Sequence, residues 1–123
     1  MEPNDLKKRT KEFAHKCVKL AMSLPKNSLG KHIQNQLIKS STSVAANYRA
    51  TCLSQSKKAF ISKISIVVEE IDETTFWLEF ILDENILQSQ KINDLLAEAK
   101  ELTSIFIASR ITAEKNMELI NNQ

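Results

Sequence analysis

Glycine and proline are scarce in this chain, whose 123 residues include one glycine and two prolines. Proteins built from many strands need both residue types in their turns, so this scarcity argues against a mainly β fold. Long apolar runs are also missing. No segment approaches the roughly 18 consecutive apolar residues of a membrane-spanning helix, and no apolar segment follows the basic N-terminal residues, as it would in a secretory signal. We therefore expect a mostly helical cytoplasmic protein without membrane contact.

Only two cysteines occur, Cys17 and Cys52, and they lie far apart in segments with helical periodicity. They do not have the spacing of a zinc site, and no further cysteine accompanies either of them. We interpret both as reduced, buried side chains of a cytosolic protein, with a disulfide as the less favoured alternative.

Apolar residues recur three and four positions apart, a pattern that predicts four amphipathic helices. The first covers about residues 5–24 and ends before a proline, and the second covers about 29–53. The third runs to about residue 83, and the fourth carries apolar residues from 92 to 120. Short connections make neighbouring helices antiparallel. The candidate caps in these connections are Asn27 or Ser28 and Ser54 or Ser56.

The expected fold is therefore all-α, an antiparallel up-down-up-down four-helix bundle that forms a single domain over residues 1–123. Its core is predicted from the apolar stripe of each helix. The stripe residues are Leu6, Phe13, Cys17, Leu20 and Leu24; Ile33, Leu37, Val44 and Tyr48; Phe60, Ile64, Val67, Ile71, Leu78 and Leu82; and Ile92, Leu95, Ala99, Leu102, Phe106, Ala113, Met117 and Ile120.

Two helices carry more apolar surface than one stripe requires. Ala14, Val18 and Ala21 lie off the main stripe of the first helix, and residues 105–107 surround much of the fourth. This surface belongs either to a wide core or to a second buried face against another subunit. We favour the second interpretation, which predicts a homo-oligomer.

Charge is divided unequally along the chain. Residues 1–58 hold 12 Lys/Arg against three acids, a net charge of +9, whereas residues 59–123 hold five against 12, a net charge of −7. This unequal distribution of charge indicates either attraction between the two halves of one fold or binding of a polyanion. Four basic residues fall opposite the stripe of the first helix and form what we call the basic face: Lys8, Lys11, His15 and Lys19.

The sequence contains no legible catalytic or metal-binding pattern. Glu12 and His15 have the Glu-x-x-His spacing of di-iron bundles, but those need a second pair, and Leu29 precedes His32 at the matching position. A single glycine excludes a glycine-rich phosphate loop, and no serine or threonine has an evident activating base. We predict a protein without enzymatic activity, cofactor or metal.

The segment STSVAANYRA, residues 41–50, is rich in small side chains, so a partner helix can approach closely along it. Ala45 and Ala46 are expected to lie in such a contact. If the second and third helices form a hairpin, Arg49 can reach acids of the third helix within the bundle or across a subunit boundary. A solvated surface pair and a ligand site are the alternatives. The predicted structural polar network is Asn47, Arg49, Glu70, Glu73 and Trp77.

Three patterns in the middle of the chain are distinctive: SVAANYR at residues 43–49, SKxxF from Ser56, and ExxExxxWL from Glu70. With these patterns, residues 33–87 resemble the small four-helix-bundle proteins encoded in intervening sequences of bacterial 23S ribosomal RNA genes. Many members carry an acid shortly after the Asn-x-Arg element, where this chain has Ala50 and Thr51.

The resemblance implies an antiparallel four-helix bundle and a ring-like homo-oligomer, with a pentamer favoured. It also implies kinship with the accessory variability determinant of diversity-generating retroelements, a basic barrel-shaped pentamer that binds nucleic acid and its reverse transcriptase. The family offers no established catalytic residues to carry over.

Two functions remain open from the sequence. One is an oligomeric bundle that binds RNA or DNA through the basic face, largely by backbone contacts, because aromatic residues are rare among its lysines. The other is a structural or adaptor protein that binds another protein, such as a reverse transcriptase, without nucleic acid. The plain alternative to both is that the lysines only solvate the helix.

Overall fold

The computed structural model describes residues 1–122, and 84% of the chain is helical. Helix α1 spans Pro3–Met22, α2 Ser28–Thr51, α3 Lys57–Asp83 and α4 Gln90–Asn121. Each helix packs along the next one in the chain, and α4 also packs along α1. Within the described part the diagonal pairs approach only through core side chains, such as the rings of Tyr48 on α2 and Phe106 on α4, whose centres lie 5.5 Å apart. This pattern confirms the all-α, antiparallel up-down-up-down four-helix bundle. The contact between α1 and α4 is the least extensive of the four.

Side-chain caps begin three of the helices at the connections. Asn27 accepts a hydrogen bond from the backbone nitrogen of Gly30 at 2.8 Å, and Ser56 accepts one from Ala59 at 3.0 Å. Ser89 accepts one from Lys91 at 3.2 Å at the start of α4. Because a cap satisfies a backbone donor that the helix leaves free, these three residues determine where the helices begin.

Gly30 lies where the connection between α1 and α2 passes close to the first turn of α2. A Cβ atom at this position would stand 1.8 Å from the carbonyl oxygen of Pro25. No real contact is that short, so any larger residue would push the connection away from the helix.

The core follows the predicted stripes closely. All of the stripe residues of α1 and α2 are buried, as are most of those of α3 and α4. Phe60, Leu82 and Met117 are only half-buried, and Ile120 is 58% exposed. Every residue from 118 to 122 is exposed, so no neighbouring helix covers the last turn of α4.

The second apolar face predicted on α1 is largely absent. Ala14 and Ala21 are buried inside the single chain, and so is Phe106 of α4, whereas Val18 is half-buried. The core stripe is simply wider than the narrow seam used for the prediction. The large apolar side chains that a single chain leaves exposed lie elsewhere, among them Met22, Leu53, Ile66, Phe76 and Ile111.

Both cysteines are free thiols. Cys17 is fully buried between α1 and α2, and Cys52 is half-buried at the end of α2. Burial raises the pKa of the Cys17 thiol to about 12, although a hydrogen bond with Ser41 opposes the rise. Cys17 is therefore protonated at neutral pH, as an inert core residue would be.

Candidate nucleic-acid interface

The basic face lies on the outer side of α1. Lys8, Lys11, His15 and Lys19 are all exposed, because spacings of three and four keep them on one side of the helix, away from Leu6 and the rest of the buried stripe. None of the four takes part in an ion pair with any of residues 1–122. Their charge is available to solvent and to a ligand.

Arg9 is the basic residue of α1 that forms ion pairs within the fold. Its Nε atom donates to Glu98 Oε2 at 2.7 Å and a terminal nitrogen donates to Glu98 Oε1 at 2.6 Å. The same nitrogen lies 3.0 Å from Glu101. This two-pronged contact joins the first turns of α1 to α4, and it raises the pKa of Arg9 while lowering that of Glu98.

Arg9 was not among the residues predicted to have a role, although its position in the sequence indicates one. Arg9 stands three residues after Leu6 and four before Phe13, which places it on the buried side of α1. Glu98 has the same relation to Leu95 and Leu102 on α4. A charged residue within a core stripe is expected to form an ion pair inside the fold, whereas charged residues opposite the stripe are expected to face solvent without a partner.

A groove of about 690 Å³ opens between α1 and α4, beside the basic face. Phe13 and Leu20 line its α1 side and Leu95 its α4 side, while Lys16, Lys19 and Lys91 contribute positive charge. Three acids also line it, Glu12, Asp94 and Glu98, so the groove itself is not uniformly basic. Lys19 belongs to both the groove and the basic face.

The predicted polar network is not assembled around Arg49. Arg49 is exposed and forms no ion pair within the described residues. The side-chain amide of Asn47 donates to the carbonyl oxygen of Ser43, one turn earlier in the same helix, at 2.9 Å. A link from Arg49 to an acid within the bundle is therefore absent, and a link across a subunit boundary stays a prediction.

Glu70, Glu73 and Trp77 lie together on α3, half-buried on the side that faces α2. Loss of water raises the pKa of Glu70, and repulsion from Glu73 adds to this. Trp77 packs edge-on against His32 of α2, with ring centres 5.4 Å apart, while its indole nitrogen is buried without a hydrogen-bond partner. The aromatic contact, rather than an ion pair, joins the two helices here.

Only some of the small side chains of residues 40–46 lie in a close helix contact, as was predicted for the segment. Ser40 and Ser41 are fully buried, and the hydroxyl of Ser40 lies 3.0 Å from that of Thr74 on α3. Ala45 is half-buried and Ala46 is exposed. The prediction that Ala46 lies in a helix contact is wrong for the single chain, because the close approach occurs one turn earlier.

Among residues 1–122, no group of three or more His, Cys, Asp or Glu side chains could hold a metal ion. None of the four helices has an apolar stretch long enough to cross a membrane.

The comparison with known families concerns almost the whole bundle. The sequence profile described as "23S rRNA-intervening sequence protein" matches residues 2–108. The chain belongs to this family. The match includes all of α1, α2 and α3, whereas the last part of α4 lies beyond it.

A solved structure supports the same assignment. The chain is similar to a protein of unknown function from the S23 ribosomal protein family of Bacteroides thetaiotaomicron VPI-5482, with 27% identity and a TM-score of 0.81. The similarity covers 89% of this chain and 98% of the other. A search among curated proteins gives no match.

Proposed function

We propose that this family member is a non-enzymatic homo-oligomeric bundle, with a pentamer favoured, that binds RNA or DNA through the basic face of α1. The observation that carries the proposal is the exposed and unpaired state of Lys8, Lys11, His15 and Lys19. Two free thiols fit a reducing compartment such as the cytoplasm.

Phosphate binding by such a face depends on the number of charges that act together. A single helix with three lysines and a histidine attracts a nucleic acid weakly, and salt screens the attraction. A symmetric oligomer repeats the face and raises the effective concentration of the second and later contacts. Because no aromatic side chain lies among the four residues, binding is expected to be directed to the backbone with little sequence preference.

Association of several copies has separate support. Leu53 is 71% exposed and Ile111 45% exposed in the single chain, and burial of such side chains between copies would remove apolar area from water. Sedimentation equilibrium over a range of concentrations tests this. We expect a species at a multiple of 14.0 kDa. A mass of one chain at every concentration would contradict the oligomer.

A mobility-shift assay with single-stranded RNA at low salt tests the basic face. The variant combines Lys8→Gln, Lys11→Gln and Lys19→Gln. The matched control combines Lys58→Gln, Lys100→Gln and Lys115→Gln, which are also exposed. Both carry the same change in net charge. We expect a loss of affinity only in the first. Equal losses would mean that overall charge, and not this face, attracts RNA.

The second candidate is an adaptor that binds a protein partner, and the groove between α1 and α4 favours it. Phe13, Leu20 and Leu95 form its buried floor, and a partner segment would contact the half-buried Leu87 and the side chains of Lys16 and Lys19. Pull-down with and without nuclease separates the two functions. Partners lost after nuclease treatment support nucleic-acid binding, whereas partners that persist support the adaptor.

A further inference from the structure

The segment that holds most of α3 and the connection after it has the opposite charge from the outer side of α1. Residues 64–90 contain no lysine, arginine or histidine but seven acids. None of the seven forms an ion pair with any described residue. They are Glu69, Glu70, Asp72, Glu73, Glu79, Asp83 and Glu84.

An aromatic cluster stands in the middle of this acidic helix. Phe76 is 53% exposed, and its ring centre lies 4.9 Å from that of Trp77, almost perpendicular to it, and 5.8 Å from that of Phe80. Trp77 also packs edge-on against His32 of α2. The cluster is built on rigid helices, so it presents a fixed aromatic surface to solvent.

Helix geometry places the acids around these rings. Asp72 and Glu73 lie about one turn before Phe76, and Glu79 and Phe80 lie about one turn after it. All five residues are therefore close together on one side of the helix. We call these five residues the acidic aromatic surface. Asp72, Phe76 and Glu79 are exposed, while Glu73 and Phe80 are half-buried.

We propose that the acidic aromatic surface is a docking site for an arginine- and lysine-rich segment of a partner protein. A guanidinium can stack on the Phe76 ring while the carboxylates around it bind its N–H groups. The charge excludes a nucleic acid from this side. Loss of water is the main cause of the raised pKa of Glu70; repulsion from Glu73 and Glu69 adds to it and Lys39 opposes it. A bound cation would relieve that repulsion.

This docking site does not depend on the proposed nucleic-acid interface. The two surfaces lie on α1 and α3, which stand diagonally opposite each other in the bundle. The basic face is left free for phosphates when the acidic aromatic surface is occupied. One protein could therefore hold a nucleic acid on one side and a basic protein on the other.

Trp77 is the only tryptophan, so its fluorescence reports on this surface directly. The probes are an arginine-rich peptide and a glutamate-rich peptide of equal length, titrated into the full chain. We expect the arginine-rich peptide alone to change the emission saturably. Phe76→Leu keeps an apolar side chain without the π face, and it should weaken binding about two- to fivefold.

Charge variants supply the matched comparison. Glu73→Gln with Glu79→Gln should weaken the peptide further, whereas Glu2→Gln with Glu118→Gln, two exposed acids outside the surface, should not. The proposal would be overturned if both pairs of substitutions weakened peptide binding equally, or if Phe76→Leu had no effect on it. Either result would mean that the peptide is attracted only by nonspecific charge.

Two further outcomes would also overturn it. An emission that changes with protein concentration, in the absence of peptide, would mean that a second copy covers the surface. An RNA that competes with the peptide for Trp77 would mean that the surface is not selective for a basic protein. The lysine variants of the basic face should bind the peptide normally, so failure of one proposal is distinguishable from failure of the other.

Discussion

Arg9 and Lys8 are adjacent in the sequence but have different surroundings. Arg9 lies on the buried side of α1, where its side chain is 19% exposed and paired with Glu98, whereas Lys8 is exposed on the opposite side. Helix geometry thus divides the basic residues of α1 into one that stabilises the fold and several that remain free. The residue type alone does not make this distinction, but its position relative to Leu6 and Phe13 does.

Replacement of Arg9 should therefore destabilise the bundle. We expect Arg9→Ala to lower the free energy of unfolding by about 1–2 kcal/mol at neutral pH, and Lys8→Ala to have almost no effect.

The stability that this ion pair gives should depend on pH. The pKa of Glu98 is lowered in the folded state, so the stabilisation by its carboxylate is present above the ordinary pKa of 4.5 and is lost as pH falls through the folded value. Urea unfolding at several pH values measures this, and equal effects of the two variants would contradict it.

Glu70 should respond to pH in the opposite sense. Burial and the neighbouring Glu73 raise its pKa in the folded state, so the carboxylate opposes folding above that raised value. Glu70→Gln should increase stability at pH 7, and the difference should vanish below about pH 4.5, where both folded and unfolded chains hold the proton. A variant that is less stable than the original at pH 7 would show that the carboxylate has a partner.

At the scale of helices, packing between α2 and its neighbours depends on small side chains at particular positions. Ser41 is fully buried, and Ala46 is exposed. Ser41→Leu should overpack the interior at a cost of about 1–3 kcal/mol, whereas Ala46→Leu should change stability by less than about 0.5 kcal/mol. Thermal unfolding of both variants tests this contrast. A large loss in Ala46→Leu would indicate that an unrecognised contact, such as one between copies, covers this position.

The connection between α1 and α2 depends on Gly30. Since a Cβ atom would meet the carbonyl oxygen of Pro25 at 1.8 Å, Gly30→Ala must displace the connection or the start of α2. We expect a loss of about 1–3 kcal/mol, despite the higher helix propensity of alanine. Ala50→Gly, a change in the opposite sense near the other end of α2, controls for propensity. If Gly30→Ala were more stable than the original, the close approach would not exist in solution.

The helices could be predicted from the sequence because their signals are local. Periodicity places the buried stripes, and Asn27 and Ser56 satisfy free backbone donors just before two of the helices. The orientation of Arg49 and the use of Ser41 depend instead on which neighbour stands opposite in three dimensions. The periodic pattern of one helix does not show which residues of another helix lie opposite it. The surroundings of Arg49 and Ser41 could therefore be seen only in the structure.

At the scale of the whole molecule, the division of charge along the sequence becomes a division in space. The ion pairs of Arg9 with Glu98 and Glu101 join the basic and acidic halves of the chain within the fold. Most other charged side chains form no ion pair among the described residues. The basic face remains on the outside of α1, and the acids of residues 69–84 lie on α3 and at its C-terminal cap. Attraction between the halves therefore explains a small part of the asymmetry, and the larger part is available for partners.

The salt dependence of RNA affinity tests the central claim, that the basic face of α1 binds phosphates. For single-stranded RNA, the slope of log affinity against log salt should become shallower by up to about 0.7 for each lysine removed in the Lys8, Lys11 and Lys19 variant. The control variant at Lys58, Lys100 and Lys115 should keep the original slope. Identical slopes for all three proteins, or affinity that does not change with salt, would contradict the account.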